Sequence, residues 1–348
     1  MTSLQRVLTA LGHQEPDRVP LFLLLTMHGA KELGLSIKEY FSNAENVFKG
    51  QLRLKEKFSH DCLTNFFYAA AETEAAGSDV IYSDNGPPNS GRPIITNPND
   101  IKKYIRPDID GTACLRKVLK ATEMLKAETG DDAPIIGVVI SPFSLPVMQM
   151  GFDKYIELIH DERELFWQLM KKNEDFCIEW ANAQIEAGAA AICYFDPVSS
   201  VTIIPRELYL QTGFEIAKRT IARINGPTAT HFASGRCLPI IDDIARTGTA
   251  VVGTSAEEDL ADLKDACQGR LTVLGNLNGI EMSRWTPEQT EEIVKDAIKK
   301  AGPGGGFVLS DNHGEIPFQV PDEVLKAVSD AAKKWGQYPL DWIDDLGK

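Results

Sequence analysis

A chain of 348 residues, 43% hydrophobic and 25% charged, has the make-up of a globular protein with a sizeable core. Its formal net charge of −14 argues against nucleic-acid partners, which need basic surface. No apolar stretch approaches the roughly 18 residues of a membrane span. The opening Met1-Thr2-Ser3-Leu4-Gln5-Arg6 lacks a secretory pattern, so a cytoplasmic protein without membrane partners is expected.

Thr2 and Gln5 form a capping box for a short helix that Gly12 closes, predicting an N-terminal helical extension over residues 1–18. The apolar run from Val19 to Thr26 has strand length and ends at Met27-His28-Gly29. Capping boxes at Ser36/Glu39 and Ser42/Glu45 predict two helices, the second reaching toward Phe58. Asp61 to Phe67 fits a second strand. Residues 77–108 are rich in Gly, Pro and Asn around two β-like bursts, Val80-Ile81-Tyr82 and Pro93-Ile94-Ile95-Thr96, which predicts an inserted hairpin. A helix over 112–128 leads to a third strand, Ile135 to Ser141.

Beyond it the alternation is regular. Phe166, Leu169, Phe176 and Trp180 mark one face of a long helix that stops at Gly188. Strands follow at 189–195, 227–231, 250–254, 271–276 and from Gly306, with helices over 205–224, 238–247 and 259–268. Thr286-Pro287-Glu288-Gln289 opens one more helix. Eight βα units predict one domain over 1–348, a (β/α)8 TIM barrel with its active site at the C-terminal strand ends. An open doubly wound sheet is the alternative, but no Gly-x-Gly-x-x-Gly follows an early strand. The six cysteines form no Cys-x-x-Cys and read as free thiols.

Residues just past the strands would share one mouth: Met27, His28, Asn65, Tyr68, Ser141, Asp196, His231, Thr254, Glu257, Asn276, Asn278, Asp311, Asn312 and His313. This set is rich in amides and carboxylates and poor in Lys and Arg. Arginine clamps suit phosphates and polycarboxylates, whereas Asp and Asn suit the donors and acceptors of a heterocycle. Plainer uses exist. Asp196 before Pro197 can cap a turn, His231 can be a core histidine, and Asn276 and Asn278 suit the turns of Gly-Asn-Leu-Asn-Gly. The run Gly302-Pro303-Gly304-Gly305-Gly306 precedes a strand, so it is a turn rather than a phosphate loop.

Six stretches occur together in order: Asp17-Arg18-Val19-Pro20, Glu72-x-Glu74-Ala75-x-Gly77, Phe195-Asp196-Pro197-Val198, His231, Gly275-Asn276 and Gly306-Phe307-Val308-Leu309. In this the chain resembles the uroporphyrinogen decarboxylase superfamily over nearly its whole length, and more closely its corrinoid-dependent methyltransferases. Decarboxylases of the superfamily hold porphyrinogen carboxylates with an arginine cluster after the first strand. Here that stretch is Thr26-Met27-His28-Gly29-Ala30-Lys31, without arginine. Thiol-methylating members bind zinc through His-x-Cys and through a Cys in a Gly-Cys-Gly turn after the last strand. Here the two motifs are His231-Phe232-Ala233 and Asn312-His313-Gly314. The histidine is kept and both sulfur ligands are replaced. Zinc in such enzymes makes a thiolate from a thiol, whereas N5 of tetrahydrofolate has its lone pair available without metal.

The resemblance therefore implies a methyltransferase similar to the methylcorrinoid:tetrahydrofolate enzymes of glycine betaine demethylation, with no metal. Tetrahydrofolate is expected in the mouth, held by Asn65, Asp196, Asn276, Asn278, Asp311 and Asn312, with Asp196, His231 and His313 catalytic. The chain has no Asp-x-His-x-x-Gly motif, so the methylcobalamin-type corrinoid is expected on a separate corrinoid protein docking over the mouth. Two alternatives stay open. One is a zinc site rebuilt from His231, His313 and a carboxylate, acting on a coenzyme M-like thiol; the other is a barrel that binds corrinoid or folate without catalysis.

Overall fold

The computed structural model describes residues 1–345. Eight apolar runs become strands: β1 (Leu21–Phe22), β2 (Leu63–Thr64), β3 (Ile135–Ile140), β4 (Ala191–Phe195), β5 (Thr228–His231), β6 (Val251–Gly253), β7 (Thr272–Leu277) and β8 (Phe307–Asp311). All pair in parallel, in the spatial order β1-β8-β7-β6-β5-β4-β3-β2. The end strands meet where the Asp61 N–H donates to Leu21 O at 2.7 Å. The sheet thus closes into the predicted (β/α)8 barrel.

One buried carboxylate ties that seam. Asp61 Oδ2 accepts the Leu21 N–H at 2.8 Å, and Oδ1 accepts Arg6 Nη1 at 2.7 Å and Ser3 Oγ at 3.0 Å. Arg18 Nη1 lies 2.9 Å from Oδ2. Through Ser3 and Arg6 the carboxylate pins the helix Ser3–Leu11 across the N-terminal end of the barrel. The helix's capping box is present, as Thr2 and Gln5 predict.

Alternation along each strand sorts side chains into two layers. Phe22, Leu24, Cys62, Val138, Cys193, Val251, Leu274 and Val308 line the interior. Residues of the other parity, such as Val139, Ile192 and Tyr194, pack with Leu115, Phe176 and Trp180 of the helices Ala113–Thr129 and Arg163–Glu186. All six cysteines are buried and free. No described helix is long and apolar enough to cross a membrane.

Local departures from expectation have local causes. Helix Ala44–Phe58 is capped by Asn43, not Ser42, because the Ser42 hydroxyl donates to Glu39 O and closes the preceding turn. Val80–Ile81 pairs antiparallel with Asn89–Ser90 rather than with 93–96. Ile95 instead joins the core, its N–H donating to Gln149 O. The stretch 205–224 breaks at Thr212 (φ −134°) into Arg206–Gln211 and Gly213–Ile221. The stretch 238–247 begins as a 3-10 turn, Leu238–Ile240, with a proline in its first turn.

Candidate active site

Strand parity decides which residues reach the C-terminal mouth. Phe195 continues the inward row of Ala191 and Cys193, His231 that of Ala229, and Thr26 that of Phe22 and Leu24. The Phe195 and His231 rings stack at 5.0 Å and 11°. Two glycines make room for them. A Cβ at Gly253 would lie 2.4 Å from His231 Cδ2, and one at Gly314 (φ 89°) 2.4 Å from the Phe195 ring.

The His231 ring is oriented by backbone. The Ala233 N–H donates to His231 Nδ1 at 3.0 Å, with Ala233 in the left-handed region at φ 52°. A neutral imidazole that accepts at Nδ1 carries its proton on Nε2. Burial, reinforced by His313, pushes the His231 pKa down to about 4. At neutral pH His231 is therefore a neutral Nε2–H donor. His313 Nδ1 is hydrogen-bonded to Ser234 Oγ, while its Nε2 is buried without a partner. Burial also lowers the His313 pKa.

On the same loop as His313 stands a carboxyl pair, Asp311 and Glu315, of which the strand-end set contains one member. Glu315 keeps some exposure and accepts the Thr26 hydroxyl at Oε1. Burial pushes its carboxyl up to about 7; the Thr26 hydrogen bond opposes this and the Asp311 charge adds to it. Asp311 caps its own turn, Oδ2 accepting the His313 N–H at 2.9 Å and the Gly314 N–H at 3.2 Å. Its Oδ1 is buried and unpartnered, and burial pushes this carboxyl up to about 6. A lone acid between Gly314 and Ile316 was the readable sign of Glu315.

The remaining expected ligands are placed elsewhere. Asp196 shares its parity with Ile192 and Tyr194 and is 1% exposed. Its Oδ1 accepts Ser141 Oγ at 2.6 Å and Ser144 Oγ at 2.7 Å, so it anchors the loops after β3 and β4. Asn65 Nδ2 donates to Thr122 Oγ1 at 2.8 Å and Gln184 Oε1 at 3.0 Å, within the helix layer. Asn276 Nδ2 donates to the Ser255 and Glu258 carbonyls, and Asn278 Oδ1 accepts the Glu281 N–H. Both line an outer groove beside helix Pro287–Ala301. Asn312 is buried with its amide between Leu277 O and the Ala256 N–H. His28 is buried against Phe318, both ring nitrogens unpartnered. Of the expected set, His231, Asp311 and His313 are brought together. No group of three His, Cys, Asp or Glu side chains suited to a metal forms among the described residues.

A family described as Uroporphyrinogen decarboxylase (URO-D) matches residues 2–335. The chain belongs to this family. It is 26% identical to the uroporphyrinogen decarboxylase of Psychromonas ingrahamii, over 95% of this chain and 97% of that one. To the protein of the same name from Magnetococcus marinus it is 25% identical, over 97% and 98%. Among solved structures, a methyltransferase from Methanosarcina mazei superposes with a TM-score of 0.85 at 22% identity, covering 96% of this chain and 99% of that one. A B12-independent methionine synthase from Shewanella shares the barrel at a TM-score of 0.55 and 13% identity, over 85% and 89%. At these identities the structural likeness speaks for the fold.

Proposed function

We propose that the protein moves a methyl group from a methylcorrinoid, carried by a separate corrinoid protein that docks over the mouth, to N5 of tetrahydrofolate. The observation that carries this reading is the polarity of His231. A zinc-ligating histidine donates its second ring N–H to an oxygen and offers the metal a lone pair. His231 does the reverse, accepting a backbone N–H at Nδ1 and holding its proton on Nε2. Neither nitrogen keeps a free lone pair. Ala233 and His313 stand where thiol-methylating relatives carry sulfur, so the site favours an acceptor that is nucleophilic without a metal. The same polarity disfavours a zinc site rebuilt from His231, His313 and a carboxylate.

The structural neighbour described as a methyltransferase supports the reading; the relatives named uroporphyrinogen decarboxylase point elsewhere. Against decarboxylation stands the turn after β1. It enters the helix His28–Leu33 without an arginine, His28 is buried, and Lys31 Nζ donates to Phe318 O. A substrate with several carboxylates finds no guanidinium fork there.

The side chains divide the work. The carboxyl of Asp311 suits the N–H edge of an aminopyrimidinone, and the His231 Nε2–H suits an acceptor oxygen. The stacked Phe195 and His231 rings offer a flat wall. These groups take over the pterin-reading role expected of Asn65, Asp196, Asn276, Asn278 and Asn312. When bound, the corrinoid supplies the methyl group and keeps the bonding pair of the carbon–cobalt bond. The methyl joins N5, and the proton that N5 loses passes to Glu315, a carboxyl poised near neutrality. Alignment of the two reactants can contribute on the order of 7–11 kcal/mol.

Calorimetric titration with tetrahydrofolate and, separately, coenzyme M tests the reading. Tetrahydrofolate should bind and coenzyme M should not. Binding of coenzyme M together with one equivalent of zinc would overturn it.

A further inference from the structure

Barrel interiors are ordinarily filled by layers of bulky branched side chains. Here the inward positions of β4 and β5, and one just before β2, hold Cys62, Ala191, Cys193 and Ala229, and a cavity of about 90 Å³ is left. Surface accessibility inside the sheet agrees. Ile136, Ala191 and Ala229 are only half-buried although their strands are flanked on both sides. Ile136 pairs with Ala191 and Cys193 with Ala229, so the void follows β3 to β5.

At one end the cavity is covered by helix Ser3–Leu11, whose Leu8 lines it yet stays 56% exposed. The helix covers that end without filling it. At the other end the wall is His231, Ser310, Asp311 and Gly314, the floor of the mouth. Almost all of the surface between is hydrocarbon and thiol. Burial pushes the Cys193 thiol up to about 12 and raises Cys62 as well, so both remain uncharged. A buried water needs two to four polar partners, and apolar voids of this kind stay dry and accept apolar guests.

We propose that the barrel interior is a binding site for one small, uncharged, apolar molecule, no larger than benzene, seated beneath His231. A guest there packs against the imidazole from below and stiffens the floor of the mouth. The site does not depend on which acceptor the mouth methylates.

Crystals of the full chain under xenon pressure provide the test, with xenon itself as the probe. Xenon should appear inside the barrel, between Ala229 and helix Ser3–Leu11, and should vanish in Ala229→Leu. A wild-type barrel that takes up no xenon, or that holds a chain of ordered waters, overturns the proposal. So does a folded Ala229→Leu variant that keeps the xenon. If the variant fails to fold, thermal melting of the wild type under xenon pressure decides instead. A raised melting temperature supports the site, as binding to the folded state requires, and an unchanged or lowered one contradicts it.

Discussion

The backbone N–H of Ala233 meets Nδ1 of His231 at 3.0 Å. That contact leaves His231 a hydrogen-bond donor at Nε2. Imidazole 15N shifts should therefore show a neutral ring protonated at Nε2 from pH 5.5 to 8, since burial holds its pKa at about 4. Dialysis against a strong chelator should leave methyl transfer unchanged. A ring protonated at Nδ1, or activity lost with zinc, would restore the thiol reading.

Glu315 is the proposed proton acceptor, and its carboxyl sits at about 7. The ionised form is the base, so the rate should rise with pH through about 7. Glu315→Gln should lower kcat by about 10²–10⁴-fold with KM within a few-fold, and should flatten the pH profile. An unaltered profile in that variant would remove Glu315 from the chemistry.

Asp196 has a different fate. Asp196→Ala leaves the Ser141 and Ser144 hydroxyls buried without their acceptor, at a cost of about 2–4 kcal/mol of stability. Tetrahydrofolate affinity of the folded variant should match the wild type. Urea unfolding and calorimetry on one preparation measure both quantities. Lost affinity at unchanged stability would return Asp196 to the site.

Glu72 predicts how stability depends on pH. Its Oε1 accepts the Ile140 N–H at 2.8 Å, its Oε2 is buried without a partner, and burial pushes the carboxyl up to about 8. A folded pKa above the unfolded one means that the folded state holds more protons. Stability is then full at low pH and falls as pH rises through 8. Glu315, at about 7, and Asp311, at about 6, act in the same direction. Buried histidines act from the acid side. His28 at about 3, and His60 and His231 at about 4, lie below their unfolded value, so their contribution is lost as pH falls from 6.5 toward 4. From pH 6.5 to 8.5 the carboxyls dominate, and the melting temperature should drop by roughly 2–6 °C. Glu72→Gln should remove most of that drop; a variant with the wild-type slope would contradict the assignment.

The barrel was readable in the sequence because eight apolar runs alternate with capped helices, and Thr2, Ser36 and Thr286 cap where their boxes predict. The site was readable only in part, and parity explains why. Parallel strands buried on both faces carry no inward–outward alternation in polarity. In Ala191-Ile192-Cys193-Tyr194-Phe195 nothing in composition says that Phe195 faces the mouth and Asp196 the helices. For the same reason nothing in the sequence says that Asn65 faces Thr122 and Gln184 of the helices. Thr26 and Glu315 meet across 289 residues of chain, a contact that only the parallel pairing of β1 with β8 creates.

The acceptor itself can be identified directly. Methylcobalamin is incubated with the protein and either tetrahydrofolate or coenzyme M, and demethylation is followed by the visible spectrum of the corrinoid. Turnover is expected with tetrahydrofolate, with 5-methyltetrahydrofolate formed in equal amount, and none with the thiol. Turnover with coenzyme M and none with tetrahydrofolate would contradict the proposed reaction.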